Sequence, residues 1–154
     1  MKNYWIEFLE KNAVNLKNKT AIIDQQTNRR ISYSELNNEV NHWAAFLVAK
    51  NVKRGDSIAL FATNRLEHLT LLLAVAKIGA FFIPLNFRLS NHELEDVMKR
   101  LTPKLYLGVG KKVLNVETSY VDIAEVNLNE YSHFNPDYST LDDTVLMLFT
   151  SGST

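Results

Sequence analysis

Leu69-Thr70-Leu71-Leu72-Leu73-Ala74-Val75-Ala76-Lys77-Ile78-Gly79-Ala80-Phe81-Phe82-Ile83-Pro84-Leu85 is an almost wholly apolar run of the sequence. Its apolar length sits at the lower limit for crossing a bilayer. Lys77 interrupts it, however, Gly79 is placed to end a helix, and Pro84 would break one. Phe81-Phe82-Ile83 favours a strand. The stretch therefore predicts a buried helix followed by a buried strand, with Lys77 suiting the negative end of the helix dipole.

The neighbouring segments repeat the pattern. Ser57 to Ala62 is a short apolar strand, and Asn64 with Glu67 offers a cap for the helix, whose inward face carries Leu69, Leu72, Leu73 and Ala76. Upstream, Ile31-Ser32-Tyr33-Ser34-Glu35-Leu36 combines a capping box with a hydrophobic staple. Leu36, Val40, Trp43, Ala44, Leu47 and Val48 then share one helical face, which ends before the turn Lys53-Arg54-Gly55-Asp56. Downstream, Leu89-Ser90-Asn91-His92-Glu93-Leu94 is a second box and staple, with Leu94, Val97, Met98 and Leu101 inward and Pro103 as the stop. Leu105-Tyr106-Leu107 reads as a strand and Tyr120 to Ile123 as a weaker one. At the front, Trp5, Phe8 and Leu9 recur at helical spacing, and Thr20 to Asp24 with Arg30-Ile31 form a hairpin.

Strands alternating with helices imply right-handed crossovers and the α/β class: a mostly parallel sheet flanked by helices on both faces, with a small N-terminal helix and hairpin. Between Glu125 and Asp142 the periodicity is lost and a surface loop is expected. A buried strand, Thr144 to Phe149, then runs into Thr150-Ser151-Gly152-Ser153-Thr154. The expected organisation is a helix and hairpin cap over 1–33, α/β units over 34–124, and a loop, strand and hydroxyl-rich run over 125–154.

Composition excludes several classes. Seventeen basic residues balance seventeen acidic ones without a local basic cluster, which argues against a nucleic-acid binder. Cysteine is absent, excluding disulfides and thiolate metal sites. Glu7, Glu10 and Lys11 interrupt the N-terminal apolar residues, so no signal peptide is read and a cytoplasmic location is expected, with no transmembrane segment.

Few residues are placed for chemistry. Gly108-Val109-Gly110-Lys111 follows a strand, but Leu105 and Val113 occupy positions where nucleotide-loop patterns require glycine, so a β-turn is expected. His42, His68, His92 and His133 are scattered, without metal-ligand spacing. Asp142 and Asp143 are adjacent on an extended segment and point opposite ways, which suits a polar strand entry better than a catalytic pair. Ser151 lacks the two-glycine frame of a nucleophile elbow. The run Thr150 to Thr154 suits either a loose tail or a phosphate loop, since glycine frees backbone N–H groups and the hydroxyls donate without filling space.

Ile31 to Leu36, Val52-Lys53-Arg54-Gly55-Asp56-Ser57-Ile58-Ala59, Ala76 to Asn86 and Leu148 to Thr154, in that order and spacing, resemble the opening of the adenylate-forming (AMP-binding) enzymes. Acyl-CoA synthetases, luciferases and peptide-synthetase adenylation domains belong to that superfamily. The resemblance implies the start of the large N-terminal domain of an acyl-adenylate-forming enzyme. It implies a two-step ligase in which a carboxylate and Mg-ATP give an acyl-adenylate and pyrophosphate, after which a thiol, commonly coenzyme A, takes the acyl group. Thr150, Ser151, Gly152, Ser153 and Thr154 would wrap the β- and γ-phosphates. In the family this loop continues through another glycine to a Pro-Lys pair. That continuation, the Mg2+ carboxylate, the acyl pocket and the C-terminal catalytic lysine lie outside this sequence, so no catalytic residue or metal ligand is assigned.

Pro84-Leu85-Asn86-Phe87-Arg88-Leu89 looks like acyl-CoA synthetases, whereas amino-acid-activating domains more often carry aspartate where Asn86 stands. The expectation is a fragment of an acyl-CoA synthetase acting on a fatty or aryl acid, inactive alone. The alternatives are an adenylation domain for an amino or aryl acid, and a non-catalytic binding or dimerising module, which as a homo-oligomer would use its apolar surface.

Overall fold

The computed structural model describes residues 2–110, 114–131 and 135–149. Helix α1 (Tyr4–Asn15) leads to an antiparallel hairpin of β1 (Thr20–Asp24) and β2 (Arg29–Ser32), and α2 (Tyr33–Ala49) follows at once. Next come β3 (Ser57–Phe61), α3 (Glu67–Lys77), β4 (Phe81–Leu85), α4 (Asn91–Leu101), β5 (Leu105–Gly108) and β6 (Tyr120–Asp122). The sheet order is β4-β3-β5-β6, every pair parallel.

Strand order explains how the helices divide. The chain steps from β3 to β4 in one direction, then back across β3 to β5. Two crossovers of the same hand but opposite direction must lie on opposite faces. Ile58, Leu60, Phe82, Leu105 and Leu107 accordingly face α1, α2 and α3, while Ala59, Ile83, Leu85 and Tyr106 face α4 through Leu94 and Met98. The helices on both faces and the N-terminal helix and hairpin match expectation.

Both capping boxes are formed. The Glu35 N–H donates to Ser32 Oγ at 3.2 Å while Ser32 N–H donates to the Glu35 carboxylate at 2.7 Å; Ser90 and Glu93 repeat this at 3.3 and 2.8 Å. The expected cap at Asn64 is not formed: the helix starts from Leu66 without a side-chain bond, because Arg65 takes Glu67 in a two-pronged pair. The α3–β4 junction is a Schellman turn. Gly79 has φ +71°, Gly79 N–H donates to Ala76 O, and Ala80 N–H reaches Val75 O.

Several inward faces shift from expectation. Helix α1 buries Ile6 and Leu9 but exposes Trp5 and Phe8. Helix α3 buries Thr70, Leu71, Leu73, Ala74, Val75, Ala76 and Lys77, leaving Leu69 exposed. A helix wedged between the sheet, α1 and α2 is covered on most sides, so a single apolar stripe does not describe it. Lys77 does not sit at a solvated helix end; it is 1% exposed.

Two further expectations change. The stretch after β6 is more than a surface loop: it carries 3-10 turns at Ile123–Glu125 and Leu128–Tyr131, and Tyr131 packs edge-on against Phe46. Residues 144–149 are not a buried strand. They meet β4 in one parallel bridge, Phe82 to Leu146, and Leu148 and Phe149 are exposed. Phe82 N–H donates to Val145 O and Met147 N–H to Phe82 O, so the next β4 residue facing this segment is Pro84. Proline has no N–H to offer, and the ladder stops there.

Candidate functional site at the carboxyl edge of the sheet

All four sheet strands run parallel, so Phe61, Leu85, Gly108 and Asp122 end on one edge. The connections from β3 and β4 leave that edge toward opposite faces, and open α/β sheets bind ligands at such a divergence. A cavity of about 330 Å³ lies there, lined by Phe61, Thr63, Arg65, Phe87, Tyr106 and Tyr120 among others.

Its floor is built by close approach. A Cβ on Gly108 would come within 3.0 Å of the Tyr120 ring and 3.3 Å of the Phe61 carbonyl, so glycine lets β5 pass beneath Tyr120 without displacing that ring. Tyr106 and Tyr120 pack with ring centroids 5.0 Å apart. Burial, with a smaller contribution from Tyr120, pushes the Tyr106 phenol up to about 12. The lining thus supplies apolar surface, a hydroxyl at Thr63 and a cation at Arg65 whose charge Glu67 already satisfies at 2.7 and 2.8 Å. It can hold and orient a ligand; it brings together no acid–base pair.

Segment 144–149 runs parallel to β4 toward the same edge. Thr150, Ser151, Gly152, Ser153 and Thr154 lie outside the described residues, as do Lys111 and His133.

Gly108 to Gly110 is a turn rather than a phosphate cradle. Gly110 N–H donates to Asp122 Oδ2 at 2.8 Å, and Tyr120 Oη donates to Gly110 O at 2.6 Å, so a carboxylate occupies the amide an anion would need. His92 pairs loosely with Asp96 on α4, and among the described residues no group of three possible metal ligands is formed. Asp142 is exposed while Asp143 turns inward to Arg54, but the two lie in a turn closed between Thr140 and Asp143 rather than on the extended segment expected. Asn86 Oδ1 accepts the Arg88 N–H at 3.0 Å, a turn that aspartate would make equally well. Among the described residues, no helix is long and apolar enough to cross a membrane.

Sequence reasoning missed Glu39, which lines a wider cleft with Arg29, His42 and Trp43. Burial raises its carboxyl above the ordinary range, and Arg29 at 3.1 Å only partly offsets this. The signal was weak, since Glu39 lies on an amphipathic helix where a solvated acid is the default.

A parallel α/β layer with a cavity at its carboxyl edge defines the class, and similarity to known proteins defines the family. The chain belongs to the AMP-binding enzyme family, whose pattern matches residues 9–154. It is 31% identical to a crotonobetaine/carnitine–CoA ligase of Citrobacter koseri over 89% of this chain and 32% of the relative. A hybrid PKS-NRPS synthetase of Xenoacremonium sinensis, xenE, is 27% identical over 83% of this chain and 3% of its own length. In structure, the fatty acyl-adenylate ligase of L. pneumophila superposes with a TM-score of 0.82 at 19% identity, covering 97% of this chain and 28% of that one, which shows the shared fold. The chain therefore spans about a third of the CoA ligase it resembles.

Proposed function

We propose that this chain is the N-terminal part of an ATP-dependent acid–thiol ligase of the acyl-CoA synthetase type, acting on a fatty or aryl carboxylic acid with coenzyme A as acceptor. The observation that carries the reading is the course of residues 144–149, which run beside β4 toward the carboxyl edge and lead into a run of hydroxyls and one glycine. That donor set fits a polyphosphate: small residues leave room, hydroxyls donate, and glycine lets backbone N–H groups converge.

ATP bound there supplies an activated phosphorus for the carboxylate and pyrophosphate as leaving group. Thr150, Ser151, Gly152, Ser153 and Thr154 would hold and orient the β- and γ-phosphates, placing hydrogen-bond donors where negative charge develops on the leaving group. Mg2+ in such sites takes one or two carboxylates together with the substrate phosphates, and we assign no residue of this chain to it; its carboxylate is expected elsewhere in the protein. The chain spans about a third of a CoA ligase's length, and we propose that it is inactive by itself.

The test is carboxylate-dependent exchange of labelled pyrophosphate into ATP by the full-length protein that carries this chain, across fatty, aryl and amino acids. Exchange with fatty or aryl acids, followed by thioester formation with coenzyme A, is expected. Exchange with amino acids alone would favour an adenylation domain, the reading that the likeness to xenE supports. Absence of exchange with every acid would overturn both.

A further inference from the structure

Segment 144–149 is held to β4 by two backbone bonds, both at Phe82, and Pro84 denies it the next. Just upstream, a second attachment compensates. Arg54, in the turn before β3, donates from Nε to Asp143 Oδ1 at 2.9 Å and from Nη2 to Thr140 Oγ1 at 2.7 Å. The other Asp143 oxygen accepts the Thr140 N–H at 2.7 Å, closing the 140–143 turn. The Asp143 side chain is only 6% exposed.

The clamp is fitted to the α3–β4 junction. A Cβ on Gly79 would fall 2.8 Å from Arg54 Cγ and 3.1 Å from Asp143 Oδ2, so both partners of the pair lie against that glycine. Gly55 N–H donates to Gly79 O at 2.8 Å, locking the Arg54 turn to the same place. Asp143 stands two residues before Val145, whose carbonyl fixes the bridge to Phe82. Whatever holds Asp143 therefore sets where 144–149 enters the sheet.

We infer that Arg54 is a positioning residue for the ATP-phosphate run: through Asp143 and Thr140 it fixes the register of segment 144–149, the segment that leads into that run. This rests on the reading of 150–154 proposed above. An arginine suits the task because its fork holds a carboxylate oxygen and a hydroxyl together.

The experiment uses the full-length protein with Arg54→Ala, Arg54→Lys, Asp143→Asn and, as a control within the run itself, Gly152→Val. It reads KM for ATP, KM for the carboxylate and the melting midpoint. Arg54→Ala is expected to raise the ATP KM about tenfold while the carboxylate KM stays within about twofold, with Arg54→Lys recovering part of the loss. Hydrogen exchange at the Met147 amide should quicken in step. An ATP KM unchanged in Arg54→Ala but raised in Gly152→Val would overturn the inference and leave the reading of the run standing. An ATP KM unchanged in both would overturn the reading as well. Equal rises in both KM values alongside a collapsed melting midpoint would reduce Arg54 to a structural role. Should Arg54→Ala fail to fold, Asp143→Asn carries the same comparison.

Discussion

Lys77 Nζ lies 2.8 Å from Glu10 Oε1 and 2.8 Å from Asn41 Oδ1, which ties the N-terminal helix and α2 to the buried end of α3. A buried cation deprived of its counter-charge is costly, whereas an apolar replacement of similar length is not. Glu10→Ala should therefore destabilise the protein by about 2 kcal/mol or more, and Lys77→Met by clearly less. Thermal melting of the two variants side by side decides this; an equal or larger loss in Lys77→Met would contradict it.

The same pair sets an acid limit. Burial alone would raise the Glu10 carboxyl, but hydrogen bonds from Lys2 and Lys77 and their charges bring it below the ordinary 4.5. A carboxyl depressed on folding contributes stability that is present above its unfolded value and lost as pH falls through the folded one. The wild-type melting midpoint should thus fall more steeply than that of Glu10→Gln as pH drops through and below the ordinary 4.5. Parallel curves would show that Glu10 does not titrate in this window.

Gly79 combines two demands, a left-handed backbone and no room for a side chain. Gly79→Val meets the left-handed penalty and a 2.8 Å approach to Arg54 Cγ, and a loss of roughly 2 kcal/mol or more is expected. A melting midpoint equal to wild type would refute it. Gly55→Ala, also at positive φ but with open space around its Cβ, separates the two demands and should cost about 1 kcal/mol.

Helix caps show how far local sequence reaches. Ser90 and Ser32 are legible because the partner of each lies three residues away, and both boxes form. Asn64 carries a similar pattern, yet Glu67 is taken by Arg65. Ser90→Ala should therefore cost about 1 kcal/mol and Asn64→Ala less than about 0.5 kcal/mol by chemical denaturation. A comparable loss at Asn64 would mean that it caps in solution.

The same distinction separates what the chain disclosed from what it withheld. Gly79, Pro103 and the alternation of β3, α3 and β4 are set by nearest neighbours and could be read directly. The burial of Lys77 depends on Glu10 and Asn41, far apart in sequence, so the chain read locally suggested only a helix-end lysine. The failure of 144–149 to become a full strand depends on Pro84 standing opposite it, a relation visible only once the register is known. The hydroxyl run 150–154 lies outside the described residues, and the Arg54–Asp143 attachment could not be read from the sequence because its two halves are joined only by the fold.

Tyr106 provides an alkaline counterpart to Glu10 at the floor of the carboxyl-edge cavity. Burial is the main cause that lifts its phenol from 10.0 to about 12, with Tyr120 adding to it. A group whose pKa rises on folding contributes stability that is full below its unfolded value and lost as pH climbs through the folded one. Stability should accordingly decline between pH 10.0 and about 12, and Tyr106→Phe should remove part of that decline while leaving neutral-pH stability nearly unchanged. Denaturant midpoints for both proteins across this range provide the check. If Tyr106→Phe follows the wild-type curve, the phenol already ionises in the folded protein, and the cavity floor must be open to water.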